Sequence, residues 1–305
     1  MKRDGFKALT YPAVFFVFIL FTLMLLVYFF QSSPAFHRFG LGVYTRNIWK
    51  AAEEPELEDY GLLAAIWGSI YTATIATLLS LPLAIAYSLF VVDYSPKRLK
   101  KPLIVMSDIM AGLPTVIYGV WGATFLVPFL RDWVMKPLHD HLSFIPLFSY
   151  PPATGYSYLS AGVLLAIMVT PFASAVIREA YSMIPFTYRE AVYSLGATKF
   201  EATRILLGYI KPAIVSGMIL AFGRAVGETV AVSLVIGNAF NLEIGLFAPG
   251  YTVSSLIASQ FGNAFIYGYM TPVLFAAGLA LFVVGLVVNV IGLKMLKGWE
   301  ENVHL

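Results

Sequence analysis

"PAIVSGMILAFGRAVGETVAVSLVIG", residues 212–237, is an apolar run that nevertheless holds an arginine, Arg224, and a glutamate, Glu228, near its middle. A helix crossing a bilayer needs about 20 predominantly apolar residues, and this run is long enough. Comparable runs cover roughly 11–30, 62–92, 103–130, 158–184 and 271–293, so six spans are expected. Of the 305 residues, 59% are hydrophobic and 12% charged, whereas soluble domains carry about 25% charged residues. The segments are too continuous for barrel strands, which alternate in character over about ten residues. The expected fold class is an all-α integral membrane protein with six transmembrane helices.

Lys2, Arg3 and Lys7 precede the first run, as they would in a signal peptide, but its apolar part covers some 20 residues and no small-residue cleavage site follows. It reads as a retained anchor. If both termini are cytoplasmic, the inside collects fourteen of the 20 Lys and Arg residues, against five outside (Arg38, Arg46, Lys50, Arg131, Lys136), with Arg224 left within a span. Basic residues are retained on the cytoplasmic side during insertion. The expectation is a multi-pass protein of the cell membrane, surrounded by lipid, with both termini inside. The net charge of +3 therefore reflects topology, and no basic stripe combined with base-stacking aromatics points to nucleic acid. There is no cysteine, and His37, His139, His141 and His304 offer no ligand set. Neither a metal nor another cofactor is expected.

Residues 31–60 form the first outside connection and end in "EEPELEDY" (53–60), a solvated surface or a docking patch for an external partner. A Pro- and Tyr-rich second outside loop is expected over 131–157. Between the fourth and fifth spans the chain changes in kind. Glu190 to Leu207 has apolar residues recurring at three and four, the period of an amphipathic helix, and Thr187 with Glu190 fits a capping box. Two readings stay open for this helix: lying on the membrane surface, or inserting into a partner's groove.

"REAVYSLGATKFEATRI" (189–205), followed by "IKPAIVSGMILAFGRAVGE" (210–228), resembles the EAA loop of ABC importer permeases, whose short coupling helix docks onto an ATPase subunit. The matching residues are Glu190, Ala191 and Gly196. Val192 replaces the family's second alanine, and Lys211 stands where a leucine precedes the proline, about three residues late. "AFGRAVGETVAVSLVIGN" (221–238) and "AGLPTVIYGVWG" (111–122) are similar to the phosphate branch of that family, of the PstC type. Sulfate and molybdate permeases share the Arg-Ala-x-Gly-Glu core, so that core alone names an oxyanion class. The resemblance covers about residues 62–295 and implies a type I ABC importer permease fold with a cytoplasmic coupling helix. It also implies a PstA-type sister permease, two copies of an ABC ATPase, an extracytoplasmic phosphate-binding protein, and inorganic phosphate as cargo. On this reading residues 1–61 hold the first helix and outside loop, 62–295 the permease domain and 296–305 a cytoplasmic tail. An ion-coupled secondary transporter is the rival from another class.

A charged side chain at a helix centre costs about 2.5–3.5 kcal/mol on insertion scales, so such residues face the bundle interior or an aqueous path. Four residues apart, Arg224 and Glu228 are expected on one helical face, able to pair. They read as a structural ion pair, or as an anion site in which Glu228 latches Arg224 while no cargo is bound; a bond to a protonated phosphate oxygen is a secondary role. The planar guanidinium suits two oxyanion oxygens. Gly223 and Gly227 have the spacing of a small-residue helix contact, within the chain or across to a sister subunit. Pro114 removes a helix hydrogen bond, which makes Thr115 a candidate for the substrate pathway. Asp108 is placed near the cytoplasmic edge, capping or paired with Lys100 or Lys101. No G-x-x-x-x-G-K-[ST] loop occurs; the chain is not expected to be an enzyme, and ATP hydrolysis falls to another subunit.

Overall fold

The computed structural model describes residues 2–303, and the side chains of residues 10–298. The side chains of Lys2, Arg3 and Lys7, and all of His304, lie outside the described residues, and of the tail expected at 296–305 only the backbone to Val303 is within them.

The apolar runs become helices: α1 (Lys2–Phe39), α2 (Leu63–Leu89), α3 (Lys97–Gly112), α4 (Thr115–Leu142), α5 (Tyr158–Ser182), α6 (Phe186–Ser194), α7 (Lys199–Tyr209), α8 (Lys211–Val226), α9 (Val230–Ser233), α10 (Val253–Gln260) and α11 (Met270–Val303). Four, those beginning at Thr10, Leu63, Tyr158 and Met270, are long and apolar enough to cross a membrane, and the number reaches six if two bent pairs each count as one span. The first pair is α3 with α4, bent by 90°. Pro114 N-caps α4 with no N–H to give, and the chain turns there because the missing bond cannot be made. The second pair is α7 with α8, bent by 66°. The loop expected over 131–157 is helical as far as Leu142.

Two compact units make up the chain. One comprises residues 1–63 and 260–282. Within it, β1 (Trp49–Lys50) and β2 (Asp59–Tyr60) pair antiparallel. Of the five acids in "EEPELEDY", Glu58 is not solvated: it is 2% exposed, and its carboxylate accepts from the Gly268 and Tyr269 N–H groups at 2.8 and 3.1 Å. Asp59 pairs with Arg46 at 2.6 Å.

The other unit, residues 64–259 and 283–305, is organised on α5, where 67% of the most apolar window is buried. The Ser157 hydroxyl accepts from the Ser160 N–H and starts this helix. Small residues let the neighbours close in. A Cβ on Gly162 would lie 2.4 Å from Ile75 of α2, and one on Gly217 of α8 would lie 3.3 Å from Val176. Asp108 meets Arg178 of α5 at 3.9 Å, a correction to the expected partners Lys100 and Lys101.

Candidate anion path and coupling hairpin

The run 212–237 is not one helix. α8 has 16 residues, about 24 Å at 1.5 Å per residue, and it stops at Val226 with Gly227 as its C-cap. From Gly227 to Gln260 only the single turn of α9 and the eight residues of α10 are helical. Interrupted backbone at membrane depth survives where it faces protein or a water-lined cavity.

This ending separates the two charges. Arg224 sits in the last turn of α8, where a cation is favoured by the helix dipole. Glu228 lies beyond the cap, and its Oε1 accepts from the Ala231 N–H at 3.4 Å, across the first turn of α9. The Ser254 hydroxyl donates to the Glu228 carbonyl at 2.7 Å. Among the described residues Arg224 and Glu228 form no ion pair, which corrects the expected pairing on one helical face and the latch built on it. Arg224 is exposed on the chain, and its guanidinium carbon lies 5.9 Å from the centre of the Phe172 ring.

α4 closes on this region. A Cβ on Gly119 would lie 2.7 Å from Leu234 and 3.0 Å from Ala231, so α4 rests against the segment that Glu228 begins. The Tyr118 hydroxyl, buried beside this segment, donates to the Met110 carbonyl at 2.9 Å across the Pro114 break. Thr115 is half-buried in the first turn of α4, one turn from Tyr118. Phe172, Tyr118 and Ser254 were missed in the sequence, since only the fold gathers them. Gly223 packs inside the chain, where an added Cβ would lie 3.1 Å from Val288 of α11. Gly227 serves as a cap; a Cβ there would meet only carbonyls of its own helix.

The amphipathic segment is a hairpin of two helices. Pro185, not Thr187, N-caps α6, and no side chain bonds to the cap, so Thr187 does not close a box with Glu190. The capping box belongs to α7: the Thr198 hydroxyl accepts from the Glu201 N–H, and the Glu201 carboxylate accepts from the Thr198 N–H at 2.8 Å. Bonds from the Thr198 side chain and backbone hold the Glu201 carboxyl below its ordinary range. Gly196, at φ +78°, makes the turn. Glu190 and Ala191 lie in α6 before it, and Leu195 at the turn is 87% exposed, Phe200 75% and Phe186 72%. Apolar side chains so exposed on one hairpin mark a contact surface.

Residues 90–295 match the family described as "Binding-protein-dependent transport system inner membrane component". The chain belongs to that family. Permeases of this kind are transport subunits of ABC systems that work with ATPase and substrate-binding partners. This permease is 67% identical over 302 residues to the probable phosphate transport system permease protein PstC of Methanocaldococcus jannaschii, covering 99% of this chain and 96% of the relative. It is 38% identical over 296 residues to the phosphate transport system permease protein PstC of Xylella fastidiosa (strain 9a5c), covering 95% and 89%. In fold it resembles a chain of the inward-facing MetNI methionine ABC transporter, with a TM-score of 0.56, 16% identity, and coverage of 78% of this permease and 95% of that chain.

Proposed function

We propose that this permease carries inorganic phosphate into the cell as the membrane-spanning subunit of an ATP-driven importer. The relatives, phosphate permeases by name and alike over nearly the whole chain, support the cargo. The structural observation that carries the site is Arg224, a charged guanidinium at the broken end of an apolar helix, exposed on the chain and without a carboxylate partner among the described residues. Lipid is a costly neighbour for it. Its exposed face therefore fronts an aqueous path or a sister permease, and an oxyanion in that path takes paired hydrogen bonds from it. Thr115 and Glu228 flank the path, and Glu228 acts by holding α9 and the broken backbone in place.

Both termini are cytoplasmic on this reading, and the hairpin of α6 and α7 presents Leu195, with Glu190, Ala191 and Gly196 behind it, to one of two ATPase copies. A PstA-type sister completes the path, and an extracytoplasmic phosphate-binding protein delivers the anion. Closure of the ATPase pair moves the hairpin and opens the path outward. The test is ATP-dependent uptake by vesicles holding the complete complex, with labelled phosphate and labelled sulfate supplied separately. Phosphate uptake that excess sulfate does not suppress supports the reading; uptake of sulfate in its place overturns the cargo.

A further inference from the structure

The second span closes on one wide turn, residues Phe90–Tyr94, in which the Ser95 N–H donates to the Phe90 carbonyl at 2.7 Å. Turns of this i→i+5 kind are rare and recur at functional sites. This one sets Asp93 among three other elements. Tyr181, near the end of α5, donates its hydroxyl to Asp93 Oδ2 at 2.6 Å. Arg189 of α6 donates to Oδ1 at 3.3 Å. Lys199, the first residue of α7, donates to the Asp93 backbone carbonyl at 3.2 Å, and its ammonium lies 3.8 Å from the centre of the Tyr94 ring.

The cluster is cross-braced. Arg189 Nη2 donates to the Tyr181 carbonyl at 2.6 Å, and the guanidinium lies 4.6 Å over the Tyr181 ring. Arg189 and Asp93 are 20% and 17% exposed, and charge-assisted bonds in such enclosure are strong and directional. The chain itself joins the hairpin to α5 through 183–185 and to α8 through Ile210. No covalent link joins it to α2. Asp93 supplies that joint.

We propose that Asp93 is a positioning residue that fixes the α6–α7 hairpin to the end of α2, so that a push on the hairpin carries α2 and α5 with it as one body. The inference rests on the importer reading for the push, and it is independent of which oxyanion is carried. It is tested in the complete complex with its ATPase, sister permease and binding protein, recording ATP hydrolysis and phosphate uptake together. With Asp93→Asn the complex assembles and ATP hydrolysis is retained, while phosphate moved per ATP falls about tenfold or more, the loss expected when a hydrogen bond to a charged group is weakened. An unchanged ratio, or uptake and hydrolysis falling in step with the amount of assembled complex, overturns the proposal. A second variant decides the matter if Asp93→Asn fails to assemble. Because the sequence contains no cysteine, Tyr94→Cys with Lys199→Cys gives one pair to join with a short cross-linker. Uptake by the cross-linked pair equals that of the same double variant before cross-linking if hairpin and α2 move together, and uptake lost only on cross-linking overturns the proposal. A complex of the original chain that takes up no phosphate counts instead against the importer reading.

Discussion

Replacing Gly68 by alanine tests how the broken backbone beyond Glu228 is held. Gly68 lies on the face of α2 that receives residues 237–253: a Cβ there would stand 2.0 Å from the Tyr251 carbonyl oxygen and 3.1 Å from the Tyr158 ring. Ordinary contact begins at 3.4 Å, so the two backbones must part by more than about 1 Å. The bond from the Val253 N–H to Ser69 Oγ, 2.8 Å long, stretches with them. So do the bonds from Trp67 Nε1 to the Glu243 carbonyl and from the Tyr71 hydroxyl to the Ile244 carbonyl, now 2.9 and 2.6 Å. Overpacking of this kind costs about 1–3 kcal/mol, and a shift of about 1 Å near a site can cost about a hundredfold in rate. Thermal unfolding in detergent should fall by several degrees, with uptake reduced in complexes that still assemble. Gly208→Ala is the control. It sits within α7 with nothing inside 4 Å of its Cβ, and alanine there should stabilise the helix by about 0.5–1 kcal/mol. If Gly68→Ala melted and transported like the original chain, the close approach of α2 to the Tyr251 backbone would be refuted.

Other changes follow from the hairpin and from the broken backbone after Val226. Gly196→Ala forces an L side chain into φ +78°, at about 1–2 kcal/mol, and should weaken copurification of the ATPase while leaving the membrane spans folded; unchanged copurification would argue against a docking turn. Thr198→Val removes the α7 capping box. Because the folded-state pKa of Glu201 is depressed, the box contributes above the unfolded carboxyl pKa and is lost as pH falls through the lower folded value. The melting difference between Thr198→Val and the original chain should therefore narrow in acid; a pH-independent difference would contradict it. Ser254→Ala deprives the Glu228 carbonyl of its donor, a loss of about 1–3 kcal/mol if the carbonyl stays dry, and should lower uptake more than assembly.

Hydropathy made α1, α2, α5 and α11 legible, since each is a long run that can satisfy its own backbone bonds in lipid. The Pro114 break was legible from chemistry alone; its 90° angle was not. Three other features escaped for physical reasons. Periodicity reads across Gly196 because the residues on either side keep a helical spacing, although "TKFE" at 198–201 is a helix start signal inside the assumed helix. The spacing of Arg224 and Glu228 implies pairing only if the helix continues, and Gly227 ends it. Asp93 meets Arg189 and Lys199 from 96 and 106 positions away, a separation at which no local pattern carries information.

Whether the anion meets Arg224 is read from the kinetics of ATP-dependent phosphate uptake by the complete complex carrying Arg224→Ala, with Arg224→Lys beside it. A lost charge-assisted pair costs about 1.5–3 kcal/mol, so Arg224→Ala should lower kcat/KM for phosphate by about 10–150-fold in complexes that assemble normally, with Arg224→Lys between the two. Uptake by Arg224→Ala equal to that of the original chain would mean that the anion does not meet this arginine, and that the anion site lies elsewhere.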